Sequence, residues 1–219
     1  MAPMATSEPQ VSSPLVIVRP PDQWQAGLLW LLVSVAGGLV GALLAWRIRA
    51  LVDRGPESIG DLLRYLATIA AAVILSGAQW IFLRRYRLEV YWWVPASVAA
   101  SLVDALVVIP SVLGFFVTPG ATGPVSENVA IVAGALALAA GGAVAGGAQA
   151  WVLRTSAGQI AWAWVPATVV GGALAGALTT AISSQLFGLP AFGTISVVAV
   201  IGALLVAASQ IPVLLRILR

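Results

Sequence analysis

The chain has 219 residues, of which 60% are hydrophobic and only 9% are charged, and its mean hydropathy is +1.00. These values exclude an ordinary soluble domain, in which about a quarter of the residues are charged. They also exclude a disordered chain, which combines low hydrophobicity with high net charge. The composition therefore predicts an integral membrane protein that is embedded in the lipid bilayer.

Three residue types are missing, and their absence excludes most catalytic and cofactor chemistry within this chain. There is no Cys and no His, and all 11 basic residues are Arg. Disulfides, thiolate metal sites, the usual haem ligands, imidazole bases and Schiff-base lysines are therefore excluded. We expect no catalytic residue, no metal, no cofactor and no enzymatic activity. A pigment would need ligands from Gln, backbone or water, and nothing in the sequence supports one.

The N-terminal residues 1–24 are polar and rich in Pro and Ser. They predict a flexible tail rather than a cleaved signal peptide, because they lack a basic start and an early apolar run. Residues 25–219 are predicted to form one transmembrane domain. A helix that spans a bilayer needs about 20 mostly apolar residues. Six segments meet this requirement, approximately 26–46, 63–83, 91–117, 129–152, 162–186 and 193–215.

The charges predict the orientation of these spans. An even number of spans places both termini on one side, which carries seven Arg residues, against four in the loop 47–64 on the other side. The positive-inside rule then predicts cytoplasmic termini. Exclusive use of Arg is typical of a GC-rich genome and suggests the plasma (inner) membrane of a bacterium. With a net charge of only +3, the chain is expected to meet lipid headgroups rather than nucleic acid.

Most of the nine tryptophans lie near the side that carries the termini. Trp prefers the headgroup boundary because its ring is apolar and its N–H needs a polar partner. We therefore predict an anchoring belt formed by Trp80, Trp92, Trp93, Trp151, Trp162 and Trp164. The alternative is a flat aromatic surface for a lipid, a pigment or a partner subunit.

A pattern at one junction between spans recurs at another. Residues 77–97 contain Gly-Ala-Gln-Trp, then Leu-Arg-Arg, then Trp-Trp-Val-Pro-Ala-Ser. Residues 147–168 contain Gly-Ala-Gln-Ala-Trp, then Leu-Arg, then Trp-Ala-Trp-Val-Pro-Ala-Thr, and a shorter copy ends the sixth span at Gln210 and Arg216. The pattern resembles one found in uncharacterised bacterial multi-pass membrane proteins. The resemblance implies a bacterial membrane protein and no particular activity.

The repeat unit is one helical hairpin, present approximately at 25–88, 89–158 and 159–219. Each unit has two spans, so the copies share one orientation and can be related by an axis along the membrane normal. We therefore predict an all-α membrane protein with six transmembrane helices from three parallel hairpin repeats, arranged as a pseudo-threefold bundle. Whether the odd or the even spans line its centre stays open. Pro110 and Pro212 lie inside spans and are expected to kink them.

Three glutamines, Gln79, Gln149 and Gln210, occupy equivalent positions about one turn inside the interface on the side of the termini. A primary amide in hydrocarbon needs partners, so we expect these side chains to form hydrogen bonds across helices, and to form a polar ring if the pseudosymmetry holds. The ring would serve either as structural glue or as one constriction of a polar pathway. Ligation of a pigment or a headgroup is a further alternative.

Asp104 is the only acid well inside a span, and its repeat equivalents are Gly41 and Ala175. An ionised carboxylate at the bilayer centre costs about 3 kcal/mol or more, so Asp104 must be protonated, paired or exposed to a water-filled cavity. Its expected partners are hydroxyl groups, such as those of Ser101, Thr179, Thr180 or Ser183, or backbone carbonyls where a helix is kinked. A neutral structural Asp and a functional ion or proton site are equally weighted interpretations.

Two functions follow from these features. The sequence favours a structural or accessory integral-membrane subunit that packs against other membrane proteins or forms an oligomer, without catalysis of its own. The alternative is a small ion- or proton-coupled transporter or channel that uses Asp104 and the glutamine layer.

Overall fold

A computed structural model describes residues 23–52, 57–86, 88–116, 126–186 and 190–219. All regular secondary structure in these ranges is helical. The α-helices are α1 (Gln23–Val52), α2 (Glu57–Arg85), α3 (Trp93–Val103), α4 (Ile109–Phe116), α5 (Glu127–Ala157), α6 (Trp164–Ser183) and α7 (Ala191–Ile217). A π-helical turn, Asp104–Val108, joins α3 to α4, and a 3₁₀ segment, Gly158–Ala163, joins α5 to α6.

Five helical stretches in the described residues are long and apolar enough to cross a membrane, which is the character of a multi-pass membrane protein. They are Gln23–Ile48, Tyr65–Arg85, Trp93–Phe116, Glu127–Ser183 and Ala191–Ile217. The sequence predicts six spans, and two of those predicted spans, 129–152 and 162–186, begin within Glu127–Ser183. Its 57 residues would extend about 85 Å as one helix, whereas the hydrocarbon core of a bilayer is about 30 Å thick.

This long stretch folds back on itself. The reversal follows Gly158, whose φ of 56° lies in the left-handed region that favours glycine. Beyond it, α6 runs antiparallel to α5, because Gly176 lies against Gly134 while Gly172 lies against Leu138. A Cβ at Gly172 or Gly176 would overlap a backbone carbonyl of α5. Glycine at these positions therefore permits the close approach of the two helices.

The long helices form a closed ring in which each packs against its neighbour in the chain and α7 packs against α1. In α1, Gly41 lies against the backbone of Ala71 in α2. At one end of the ring, the Arg219 guanidinium donates a hydrogen bond to the Gln23 side-chain oxygen at 3.4 Å. We call this the terminal end. The start of α3 also lies there, since Trp93 packs against Trp30 near the start of α1, and the end of α5 lies beside it, since the Glu89 N–H donates to Ser156 Oγ at 3.0 Å.

The third apolar stretch is the irregular part of the ring. α3 packs against both α2 and α5, whereas the π-helical turn and α4 pack principally against α5. Pro110 accounts for the irregularity, because it has no N–H and its ring clashes with the carbonyl four residues earlier. The chain widens by one residue there, and the Ile109 N–H bonds to the Asp104 carbonyl oxygen. The irregularity at Pro110 is a π-helical turn, beyond which α4 packs against α5 and has little contact with α2.

Several predicted boundaries differ from the structure. α1 begins at Gln23, so it includes the last two residues of the predicted tail 1–24, whose other residues lie outside the described ranges. α1 and α2 also extend into the predicted charged loop 47–64, of which residues 53–56 are not described. The Pro- and Gly-rich segment 119–124, which is typical of a turn-rich connector between the third and fourth predicted spans, lies outside the described residues as well.

Candidate functional site

Three buried hydrogen bonds join neighbouring helices at the level of the predicted glutamine ring. In each, a glutamine amide donates through Nε2 to a Ser or Thr hydroxyl on the preceding long helix. The pairs are Gln79 with Ser34 at 3.1 Å, Gln149 with Ser97 at 3.2 Å, and Gln210 with Thr168 at 3.1 Å. All six side chains are buried. Such bonds hold helices together where the surroundings are apolar.

Three tryptophan rings fill the centre of the helical ring next to this layer, towards the terminal end. Trp30, Trp93 and Trp164 are each 0% exposed. Their ring centroids are 5.6–6.4 Å apart, and every pair meets edge to face, the arrangement that the charge distribution of aromatic rings favours. Each ring lies four residues, or about one turn, before the hydroxyl of the glutamine layer on its own helix.

The structure corrects part of the predicted tryptophan belt. Trp93 and Trp164 lie inside the protein rather than at the headgroup boundary. Their side chains lie on the faces of α3 and α6 that point towards the centre of the helical bundle, where their large apolar rings pack against each other. For the other four the belt stays a prediction. These are Trp80, Trp92, Trp151 and Trp162, which are partly or fully exposed. Two of these rings each have an arginine over them. The Arg84 Cζ atom lies 4.9 Å from the centroid of the Trp80 ring, and the Arg154 Cζ atom lies 5.2 Å from that of Trp151.

A third layer lies beyond the tryptophans. Leu83, Leu153 and Leu214 each follow a glutamine by four residues, and all three are fully buried in the same apolar cluster as the tryptophans. We call the three layers together the plug: the glutamine–hydroxyl pairs, the three tryptophans and the three leucines. The plug occupies the interior of the ring at its terminal end.

The polar atoms of the tryptophans distinguish the three sides of the plug. Trp164 Nε1 donates to Gln149 Oε1 at 2.8 Å, so Gln149 takes part in two hydrogen bonds. Among the described residues, Trp30 Nε1, Trp93 Nε1 and Gln210 Oε1 are buried without a partner. Buried polar groups without partners cost free energy. The side of the plug at Gln149 is therefore the best satisfied.

A cavity of about 550 Å³ lies on the other side of the plug from the terminal end. α1, α2, the α3–α4 segment and α7 contribute its wall, which consists mainly of Ala and Gly. Ser34 and Gln79 of the plug form its floor, and Thr68, Ser101 and Asp104 supply the other polar side chains. The volume lies within the range of about 300–1,000 Å³ that is typical of small-molecule sites.

Asp104 lies in the π-helical turn and lines this cavity. Its carboxylate packs against Gly141 of α5, where an added Cβ would collide with both carboxylate oxygens. Oδ1 is buried with no hydrogen-bond partner in the described part of the chain. At the two positions that the predicted repeat aligns with Asp104, Gly41 packs against α2 and Ala175 is buried. Of these three positions, only position 104 carries an ionisable side chain.

No protein-family model, curated protein or solved structure matches this chain. The chemistry of the site is therefore read from its own geometry.

The hydroxyl partners that the sequence predicts for Asp104 are largely wrong. Ser101 donates to the Ser97 carbonyl at 2.9 Å, and Thr179 donates to the Ala175 carbonyl at 2.6 Å. Ser183 likewise donates to a carbonyl of its own helix at 2.5 Å, and Thr180 lies against Gly134. Ser and Thr inside helices often bond the carbonyl four residues earlier, and that local bond uses their single proton.

The site can therefore hold a proton or a cation, because Asp104 belongs to the wall of a cavity whose other described lining residues are uncharged. The described residues contain no group of three or more acidic side chains that could hold a metal ion. Sequence reasoning identified Asp104 and the three glutamines. It missed Trp30, the leucine layer and Gly141, although the four-residue spacing from the glutamines and hydroxyls was a signal for the first two.

Proposed function

We propose that this protein is a small ion- or proton-coupled transporter in which Asp104 binds and releases the coupled proton or cation. The cavity carries this proposal, because it brings the one intramembrane carboxyl group to an open space beside a sealed plug. Ionisable groups within membrane spans usually face such cavities and mark transport pathways. The glutamine layer forms the floor of the site and the constriction through which a cargo would pass.

The proposed architecture is a six-span, pseudo-threefold bundle of three hairpin repeats. The fold-back between α5 and α6 supports two crossings within Glu127–Ser183. Three glutamine–hydroxyl bonds support the repeat, because a buried tryptophan precedes each hydroxyl by four residues and a buried leucine follows each glutamine by four residues. Parallel repeats of this kind occur in transporters, where they are related by an axis along the membrane normal.

The proposed location is the plasma (inner) membrane of a bacterium, with both termini in the cytoplasm. Five arginines at or near the terminal end of the ring support this orientation by the positive-inside rule: Arg84, Arg85, Arg154, Arg216 and Arg219. The plug then closes the cytoplasmic end, and the cavity lies towards the outside.

A flux measurement tests the transport proposal. The purified protein is reconstituted into liposomes that contain a pH-sensitive dye, and proton movement is driven by an imposed ion gradient. We expect Asp104-dependent flux, which Asp104→Asn abolishes. Glu127→Gln is the matched control, because it removes a carboxyl group from the exposed first turn of α5, outside the cavity. Absence of flux in the wild type, or equal flux in Asp104→Asn, would contradict the proposal.

The exposed apolar surface of the π-helical turn and α4 favours a second candidate function, that of an accessory subunit. Leu106, Val107 and Phe115 are exposed there, on a segment that has little contact with α2. A helix of another membrane protein, or of a second copy, would fit there without any catalysis by this chain. This candidate predicts a stoichiometric membrane partner after purification in mild detergent. A monodisperse lone protein would count against it.

A further inference from the structure

The charge of the cavity wall selects the class of ligand. Of the described residues that line the cavity, Asp104 is the one ionisable side chain, and none of the others is basic. A cation would compensate the charge of this carboxyl group, whereas an anion would meet it without a compensating positive charge from the described part of the wall. The cavity is therefore complementary to a positively charged ligand.

The rest of the wall indicates which kind of cation fits. Small hydrated metal ions need about six oxygen ligands, but the wall above the floor is mostly Ala and Gly, with few side-chain oxygens. The Ser101 hydroxyl, near the carboxylate, already donates to its own helix. An organic cation carries its own apolar surface and needs one counter-charge. It therefore matches a wall of this composition better than a metal ion does.

The shape of the cavity supports the same conclusion. A Cβ added at Gly202 of α7 would meet open space, so the wall there is not in contact with any other side chain. The volume of about 550 Å³ accommodates a drug-sized molecule. Asp104 lies in a π-helical turn whose Leu106 and Val107 side chains are exposed, so a molecule dissolved in the surrounding lipid is close to this turn.

We propose that the cavity binds a lipophilic monovalent organic cation, with Asp104 as its counter-ion. This inference rests on the proposed transport function, because it assigns a class of ligand to the same cavity. No covalent or redox step is involved, since the ligand is held by one charge pair and by apolar contact with α1, α2 and α7.

Binding of tetraphenylphosphonium to the full-length protein in mild detergent tests this inference. Tetraphenylborate is the matched control ligand, because it has the same shape and the opposite charge. We expect saturable binding of the phosphonium ion and no saturable binding of the borate ion. Asp104→Asn should weaken phosphonium binding by about tenfold or more, as the loss of a buried charge partner does. Equal binding of both ions would overturn the inference. This comparison uses the wild-type protein alone.

A second variant keeps the test independent of the folding of Asp104→Asn. Gly202→Leu fills the cavity without a backbone clash and should weaken phosphonium binding by about tenfold or more, because the ligand loses its space. Gly147→Leu is the matched control, since a Cβ at Gly147 also meets open space but the residue does not line the cavity. Equal binding by Gly202→Leu and Gly147→Leu would overturn the inference.

The two proposals fail in distinguishable ways. Asp104-dependent proton flux without phosphonium binding would overturn the choice of ligand and leave the transport proposal standing. Asp104-dependent phosphonium binding without any flux would support the ligand and overturn the transport proposal.

Discussion

Gln149→Met measures how far the plug depends on its hydrogen bonds. Gln149 donates to Ser97 at 3.2 Å and accepts from Trp164 Nε1 at 2.8 Å, whereas one side-chain hydrogen bond joins Gln79 to Ser34. Met is unbranched and of similar size, so it removes the amide and leaves little space. The comparison of the two glutamines therefore isolates the bond to Trp164.

The structure gives the expected size of the effect. Hydrogen bonds between membrane helices contribute about 0.6 kcal/mol on average and about 1.7 kcal/mol at most. Loss of two such bonds, together with an unpaired buried indole N–H on Trp164, should lower the free energy of unfolding by about 2–3 kcal/mol. Gln79→Met removes one bond and should lower it by about 1 kcal/mol.

Unfolding in mixed micelles with increasing sodium dodecyl sulfate, followed by circular dichroism, measures these differences. Gln159→Met is the control, because Gln159 is exposed in the 3₁₀ segment between α5 and α6. We expect the loss of stability to be largest for Gln149→Met, smaller for Gln79→Met and within error for Gln159→Met. An equal loss for Gln149→Met and Gln79→Met would refute the special position of Gln149. No loss in either would refute the structural role of the layer.

Three further predictions concern packing and the π-helical turn. Gly176→Ala should cost about 1–3 kcal/mol in thermal unfolding, because its Cβ would overlap a carbonyl of α5. Gly147→Ala, whose Cβ meets open space, should keep the stability or raise it by up to about 1 kcal/mol; equal effects would contradict this packing. Pro110→Ala restores a backbone N–H, so the π-helical turn that carries Asp104 should relax towards an α-helix. We expect a higher melting temperature and a lower proton flux. Unchanged flux would argue against a role for the turn. Trp93→Ala should cost about 3–5 kcal/mol, and Trp92→Ala, at an exposed position, far less; similar losses on detergent unfolding would be evidence against the central tryptophan cluster.

The sequence predicts the class of the protein and the level of the plug. The hydrophobic content leads directly to membrane-spanning helices. The equal spacing of Gln79 and Gln149 from their neighbouring motifs places them at equivalent depths, since position along a helix is proportional to residue number. In the structure, each of the two glutamines is bonded to a serine hydroxyl on the preceding long helix.

The direction of each side chain around its helix could not be predicted in the same way. Trp92 and Trp93 are adjacent, and one is exposed while the other is fully buried. Neighbouring positions on a helix point about 100° apart. The spans are apolar on all sides, so hydrophobic periodicity does not tell which of the two faces inwards. Only the contacts with Trp30 and Trp164 decide it.

The surroundings of Asp104 also lie beyond what the sequence determines. Pro110 signals an irregularity, but whether the helix bends or widens into a π-turn depends on its packing against α5. The close contact between Asp104 and Gly141 joins residues that are far apart in the chain. The sequence therefore identifies Asp104 as an acid inside a span, but it does not predict the cavity that Asp104 lines.

The most direct test of this account is the sided accessibility of the cavity. The chain has no natural cysteine, so a single Ala105→Cys, in the cavity wall beside Asp104, can be labelled with a membrane-impermeant cationic thiol reagent in liposomes of known orientation. Ala150→Cys, fully buried in the apolar cluster of the plug, is the control and should stay unlabelled. We expect labelling of Ala105→Cys only from the side opposite the termini. Labelling from the side of the termini, or from neither side, would contradict a cavity that is closed by the plug and open beyond it.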